Sequence, residues 1–287
     1  MVHLNAAGAS IRSAATNEIV REWLEAEGVL GAYELSGHRR DDLSRPYREL
    51  ASLLGCLPDD ISIVTSATEA WNEIVHGLAW TFKAGDGIAT SITEYGSNYL
   101  TYLQLRRRFG IEIHVIGETE EGDIDVEALE LVICSKKIRL ISLPHVPTNS
   151  GRVYDVVKVG NLAKKYSVLF LLDACQSVGQ LELDISTVGC DLLTGTSRKY
   201  LRGPRGVGFL YVIELCQPAE YLGSHSALNF PAKAIARRGA SSCSSRQQLT
   251  CAARFSRIGT NTLYPKAASD SKSSRCRTRQ KLVLVWL

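Results

Sequence analysis

Short apolar runs recur along most of this chain, each separated from the next by a stretch of helical spacing. The runs ISIVT (61–65), GIATSI (87–92), IEIHVI (111–116), IRLISLP (138–144), VLFLLDA (168–174), CDLLTG (190–195) and VGFLYVI (207–213) have the length and β-branched content of strands. Between them, apolar residues in 69–82, 98–109, 126–132 and 156–165 fall on one helical face. Residues 12–55 also read as helical, with a loop around 28–31. Pro46 sits near the start of the last helical stretch, 41–54, where proline is tolerated. A continuous apolar run such as VLFLL suits a strand covered on both faces. The alternation therefore predicts an α/β fold, a mostly parallel central sheet flanked by helices.

Beyond Leu215 this pattern dissolves into Ser/Arg-rich stretches, SSCSSRQQ and SDSKSSRCRTRQK, with little from which to build a core. Charge divides the chain at the same place. The net charge is +3, but residues 216–287 alone carry +10 and residues 1–215 carry −7. The expected organisation is a large domain over 1–215 and an atypical basic C-terminal tail over 216–287, disordered or translated from an altered frame. Such a tail can hold nucleic acid weakly and non-specifically. Without interleaved aromatics or a folded reader, nucleic acid is not the expected partner.

At 45% apolar and 22% charged residues, the composition is that of a soluble globular protein. No apolar run is long enough to span a bilayer, and the opening MVHLNAAGASIRS lacks a secretory signal. A cytoplasmic location and no membrane partner are expected. Of the eight cysteines, Cys56, Cys134, Cys175 and Cys190 fall in predicted core elements and are expected as buried free thiols. No CxxC pair occurs, so no metal site is expected.

Candidate chemistry concentrates between residues 168 and 212. Asp173 ends the VLFLL run, where open α/β sheets bind ligands. Lys199 follows in the polar, Gly-rich loop TGTSRKYLRGPRGVG. An amine that can hold an aldehyde as a Schiff base, and a carboxylate that can keep a pyridine nitrogen protonated, are the pair that pyridoxal 5'-phosphate requires. Gly203, Gly206 and Gly208 do not fall in GxGxxG order and precede a strand, which excludes a Rossmann dinucleotide site.

With DACQSVGQ, TEYGSN, HVPTN and RKYLRGPRG in place, the chain from about His3 to about Ile213 resembles the class V aminotransferases. These are fold-type-I pyridoxal phosphate enzymes that include cysteine desulfurases, selenocysteine lyases and the C–S lyase of ergothioneine synthesis. The resemblance implies the large domain of that fold, a homodimer, and a small amino-acid-like substrate. It implies that Lys199 is the Schiff-base lysine and Asp173 the partner of the pyridine nitrogen. Gln176 is implied at the ring's phenolic oxygen, with Thr148 and Asn149 in the loop that contacts it. Ala67 and Thr68 would meet the phosphate at a helix N-terminus, together with Thr196 and Arg198. Arg198 stands where a histidine is common in the family. Tyr95 stands where many members stack a histidine on the ring, and otherwise reads as a core aromatic. Residues 5–10 (NAAGAS) would line the substrate side, and His145 reads as structural.

The implied reaction is a C–S lyase or cysteine-desulfurase-like step, or aminotransfer. A catalytically inactive product is the alternative. Neither a family-like small domain nor its substrate-binding arginine is recognisable after Leu215, and Cys243 is a poor match to a desulfurase's sulfur-accepting loop.

Overall fold

The computed structural model of the protein describes residues 2–213. The expectations for 216–287, Cys243 included, lie outside the described residues. Each of the seven apolar runs becomes a strand: β1 (Ile61–Val64), β2 (Gly87–Ser91), β3 (Glu112–Ile116), β4 (Ile138–Pro144), β5 (Leu169–Asp173), β6 (Leu192–Thr196) and β7 (Gly208–Val212). They form one sheet in the order β1-β7-β6-β5-β4-β2-β3. Strands β3, β2, β4, β5 and β6 run parallel, and β7 lies antiparallel between β6 and β1.

Helices cover both faces because strand side chains alternate between them. On β5, Phe170 and Leu172 join Ile141, Leu143, Leu193 and Phe209 in one core. Helices α3 (Arg40–Leu54), α6 (Val126–Ser135), α7 (Val156–Tyr166) and α8 (Ile185–Val188) close that core. Leu169 and Leu171 point the other way, with Ile88, Leu140, Leu192 and Leu210, under α4 (Ala67–Ala79) and α5 (Gly96–Phe109). The apolar run of β5 thus feeds two cores at once, as its lack of polar alternation foretold.

The N-terminal helical stretch divides at Gly31, whose φ of 87° is costly for residues with a Cβ. Helix α1 (Ala14–Leu30) runs through Gly28, and α2 (Ala32–His38) follows. Pro46 lies inside α3 rather than in its first turn. Helix α4 begins earlier than its periodicity indicates because the Ser66 hydroxyl accepts the N–H of Glu69 and caps it. Among the described residues, no helix is long and apolar enough to cross a membrane.

The four cysteines are free, but they are not uniformly buried. Cys190 is buried, Cys56 and Cys175 are half-buried, and Cys134 is exposed. The expectation of a buried thiol at Cys134 is therefore corrected. Helix α6 turns Leu129 and Ile133 to the core, and the next residue is rotated out by about 100°.

Candidate active site

Strand register brings the sequence-distant candidates together. Pro144 pairs with Asp173, and Asp173 with Thr194, so β4 and β5 end level and β6 runs two residues further. Thr196 pairs with Gly208, and Gly208 with Val64, which sets the end of β6 beside the β1–α4 turn. Loops leaving these ends enclose a cleft of about 290 Å³. It lies at the carboxyl ends of the parallel strands, the general ligand position of open α/β sheets. All ten residues singled out from the sequence line it.

Lys199 is only 7% exposed and, among the described residues, makes no ion pair or side-chain hydrogen bond. Its loop is tied down by Ser197. That hydroxyl donates to Pro204 O at 2.6 Å, its N–H donates to Val207 O, and its carbonyl accepts from Gly203 N–H. Asp173 does not cap a helix. Its Oδ1 accepts the Cys175 N–H at 2.9 Å, and its carbonyl accepts the N–H of His145. His145 is buried behind the loop, which pushes its pKa down, and it does not line the cleft. A structural role is the one its position supports.

Gln176 is 4% exposed; its amide Nε2 donates to Thr148 Oγ1 at 3.0 Å and to Ala7 O at 3.2 Å. Its Oε1 is buried without a partner among the described residues. A buried acceptor left unpaired is costly unless a ligand donates to it. Thr148, rather than Asn149, is thereby the loop residue coupled to Gln176.

At the opposite wall, the first N–H groups of α4 lack intrahelical partners, as in any helix. Ser66 satisfies that of Glu69, leaving those of Ala67 and Thr68 beside the cleft. The strand behind this turn must be glycine at 208, since a Cβ there would fall on the backbone of Ser66 and Ala67. The glycine of RGVG thus allows one backbone to pass close to another. Thr196 donates its hydroxyl to Val207 O at 3.2 Å, and the Arg198 guanidinium donates to Gly8 O. Arg198 O accepts the Ser10 N–H, and Arg202 Nε donates to Ile11 O, so the N-terminal segment is laced to the lysine loop. Tyr95 is the N-cap residue of α5 and is 44% exposed on the rim, so it is not a core aromatic.

Two ionisable cleft residues, Cys175 and Glu94, were not assigned to the site from the sequence. Cys175 carries a thiol held well above its usual pKa, first by burial and then by the charge of Asp173, against the pull of Lys199 and Arg198. Glu94, next to Tyr95, accepts from Thr90 Oγ1 (2.8 Å), Tyr95 N–H (2.7 Å), Asn98 Nδ2 (3.0 Å) and Tyr102 OH (3.0 Å). Burial, and then the negative charge of Asp173, push its carboxyl up to about 7 despite those hydrogen bonds. An acid in the strand-to-helix step TEYGSN was the available signal.

Comparison with known proteins places this geometry in context. The aminotransferase class-V family model matches residues 2–231, continuing past Leu215. A probable cysteine desulfurase of Methanothermobacter thermautotrophicus is 32% identical over 181 residues, covering 63% of this chain and 44% of that protein. The chain spans about half the length of the curated relatives it matches. Among solved structures, the apo cysteine desulfurase of Thermococcus onnurineus NA1 aligns with a TM-score of 0.66 at 23% identity, over 82% of this chain and 67% of that one. A C-DES mutant with glycine covalently linked to its PLP cofactor aligns with a TM-score of 0.65 at 20% identity, over 82% and 69%. At these identities the structural likeness speaks for the fold.

Proposed function

The chain belongs to the class-V aminotransferase family, and from that premise we propose that its cleft binds pyridoxal 5'-phosphate and acts, as a homodimer, on a small amino-acid-like substrate. The finer reading is C–S bond cleavage of the cysteine-desulfurase kind, which the names of the relatives favour. One observation carries the proposal: a buried lysine, a strand-end carboxylate, an unpartnered glutamine oxygen and an uncapped pair of helix N–H groups share a single cleft. That donor set fits the cofactor's aldehyde, pyridine nitrogen, phenolic group and phosphate in turn.

When bound, the cofactor supplies an electron-withdrawing ring that acidifies the substrate's α-carbon. The Asp173 carboxylate would keep the pyridine nitrogen protonated, and its place at the end of β5 keeps it fixed. Gln176 Oε1 accepts a hydrogen bond from the phenolic group, which removes its own desolvation cost. The N–H groups of Ala67 and Thr68 donate to phosphate oxygens, aided by the α4 dipole. Thr196 can join them by turning its hydroxyl from Val207 O, and Arg198 by its remaining N–H groups. Lys199 Nζ, once neutral, can take a proton from the substrate and return it. Tyr95 offers a ring face but no imidazole to shuttle protons. Burial and the charge of Asp173 hold the Cys175 thiol above its usual pKa, which works against the thiolate that a sulfur acceptor needs.

The test is titration of the purified full chain with pyridoxal 5'-phosphate, followed by absorbance in the Schiff-base band. The band is expected in the wild type and absent in Lys199→Ala. A wild-type chain that develops no band, or a variant that keeps it, overturns the proposal. Alanine release from cysteine, with sulfide measured in the presence of an added thiol reductant, then tests the finer reading.

A further inference from the structure

Glu94 is the one acid in the cleft, besides Asp173, for which the reading above has no use. Its two oxygens have different surroundings. Oε1 meets the Tyr95 N–H and the Asn98 amide nitrogen, which can only donate. Oε2 meets the hydroxyls of Thr90 and Tyr102, which can donate or accept. A proton on Oε2 would therefore cost no hydrogen bond: one hydroxyl would turn from donor to acceptor while the Oε1 bonds stayed intact. The other ionisable and charged groups facing this carboxyl or sharing its cleft, among the described residues, are Asp173 from β5, Tyr95 and Tyr102 at and within α5, Lys199 and Arg198 after β6, and Cys175. Asp173 is the one whose charge acts on Glu94 against ionisation.

We infer that Glu94 is a positioning residue that works in its protonated form. It holds the Tyr95 backbone and the start of α5 through Oε1, and by staying neutral it leaves Asp173 as the sole carboxylate charge of the cleft. Its proton exchanges with solvent through the cleft. Raising the pH removes that proton and places a second negative charge beside the position of the incoming anionic ligand. This deepens the proposed cofactor site and rests on that reading for its consequence, though not for its first measurement.

Tyr95 benefits directly. It is the N-cap residue of α5 with no side-chain cap of its own, and its N–H is held by the preceding glutamate. A glutamine at 94 would keep this arrangement, with its oxygen toward Tyr95 and Asn98 and its amide nitrogen toward the two hydroxyls. It cannot ionise. Glu94→Gln therefore imitates the protonated acid, while Glu94→Ala removes both the acid and the anchor.

The first measurement is pH-difference infrared spectroscopy of the full chain, without cofactor, between about pH 6 and about pH 8.5. A carbonyl band of an un-ionised carboxyl should be present at the lower pH, fade at the higher, and be missing from Glu94→Gln. Its absence in the wild type, or its survival in Glu94→Gln, overturns the inference. The second measurement is pyridoxal 5'-phosphate affinity. Near pH 6, Glu94→Gln should bind within about threefold of wild type and Glu94→Ala at least about tenfold more weakly, the loss of one buried hydrogen-bonded anchor. Over the same pH range the wild type should lose more affinity than Glu94→Gln. Equal losses of affinity in the wild type and in Glu94→Gln count against it. Should Glu94→Ala fail to fold, the band and the glutamine profile still decide. If the wild-type chain binds no cofactor at all, the proposed function falls, and the infrared band judges Glu94 separately.

Discussion

Gln176 carries an unmet hydrogen-bonding demand at the cleft. Its amide nitrogen is shared between Thr148 and Ala7, while its oxygen is buried and unpaired. Gln176→Ala should lower pyridoxal 5'-phosphate affinity about tenfold, the worth of one buried hydrogen bond, as measured by absorbance titration. Equal affinity would mean that the oxygen faces no ligand group. Asp173 and Lys199 were legible at this scale because an acid closing an apolar run and a lysine in a glycine-rich loop both break the local pattern. Glu94 was not legible. Its meaning comes from Thr90 and Tyr102 across the β2–α5 step and from Asp173 on another strand. Arg198 lines the same cleft as Asp173 and Lys199, but its bond to Gly8 joins residues far apart in the chain.

Among the elements, the β1–α4 turn and the start of β7 form one unit. Gly208 pairs with both Val64 and Thr196, so the start of α4 and the end of β6 are held together through one residue without a side chain. Gly208→Ala would drive a methyl group into the Ser66–Ala67 backbone. A loss of about 1–3 kcal/mol in unfolding free energy is expected, together with weaker cofactor binding than an equally destabilising change elsewhere. Denaturant melts alongside cofactor titration would check this, and an unaltered Gly208→Ala chain would contradict it. Strands were read correctly from their apolar runs, whereas helix ends shifted. Periodicity marks a buried face, but caps such as Ser66 and breaks such as Gly31 decide where the helix starts or stops.

For the whole molecule, the sheet has a functional end and a structural end. At the amino ends of the strands, Asp86 precedes β2 and Lys137 precedes β4, and they pair at 2.6 Å. Burial alone would raise the Asp86 pKa, but the Lys137 ammonium and the Lys83 N–H outweigh it and hold the carboxyl below its usual range. A depressed carboxylate lends stability above its unfolded pKa and loses it as pH falls through the folded value. Asp86→Asn should therefore cost about 1–2 kcal/mol near neutral pH, limited by the exposure of Lys137. The gap from wild type should narrow below about pH 4. Urea midpoints at both pH values are the measurement; a gap that stays constant would show that the pair is not the cause.

What the chain determined by itself was the layered α/β plan, the strand identities and the candidate lysine, acid and helix start. These follow from local pattern, because burial on one or two faces dictates which residues can recur. The tertiary structure decided the register that brings the ends of β4, β5 and β6 and the β1–α4 turn to one cleft, the partners of Arg198 and Thr196, and the placing of Glu94 beside Asp173. Register and enclosure arise from contacts between residues far apart in the chain, and hydrophobic periodicity carries no record of which distant group will stand opposite.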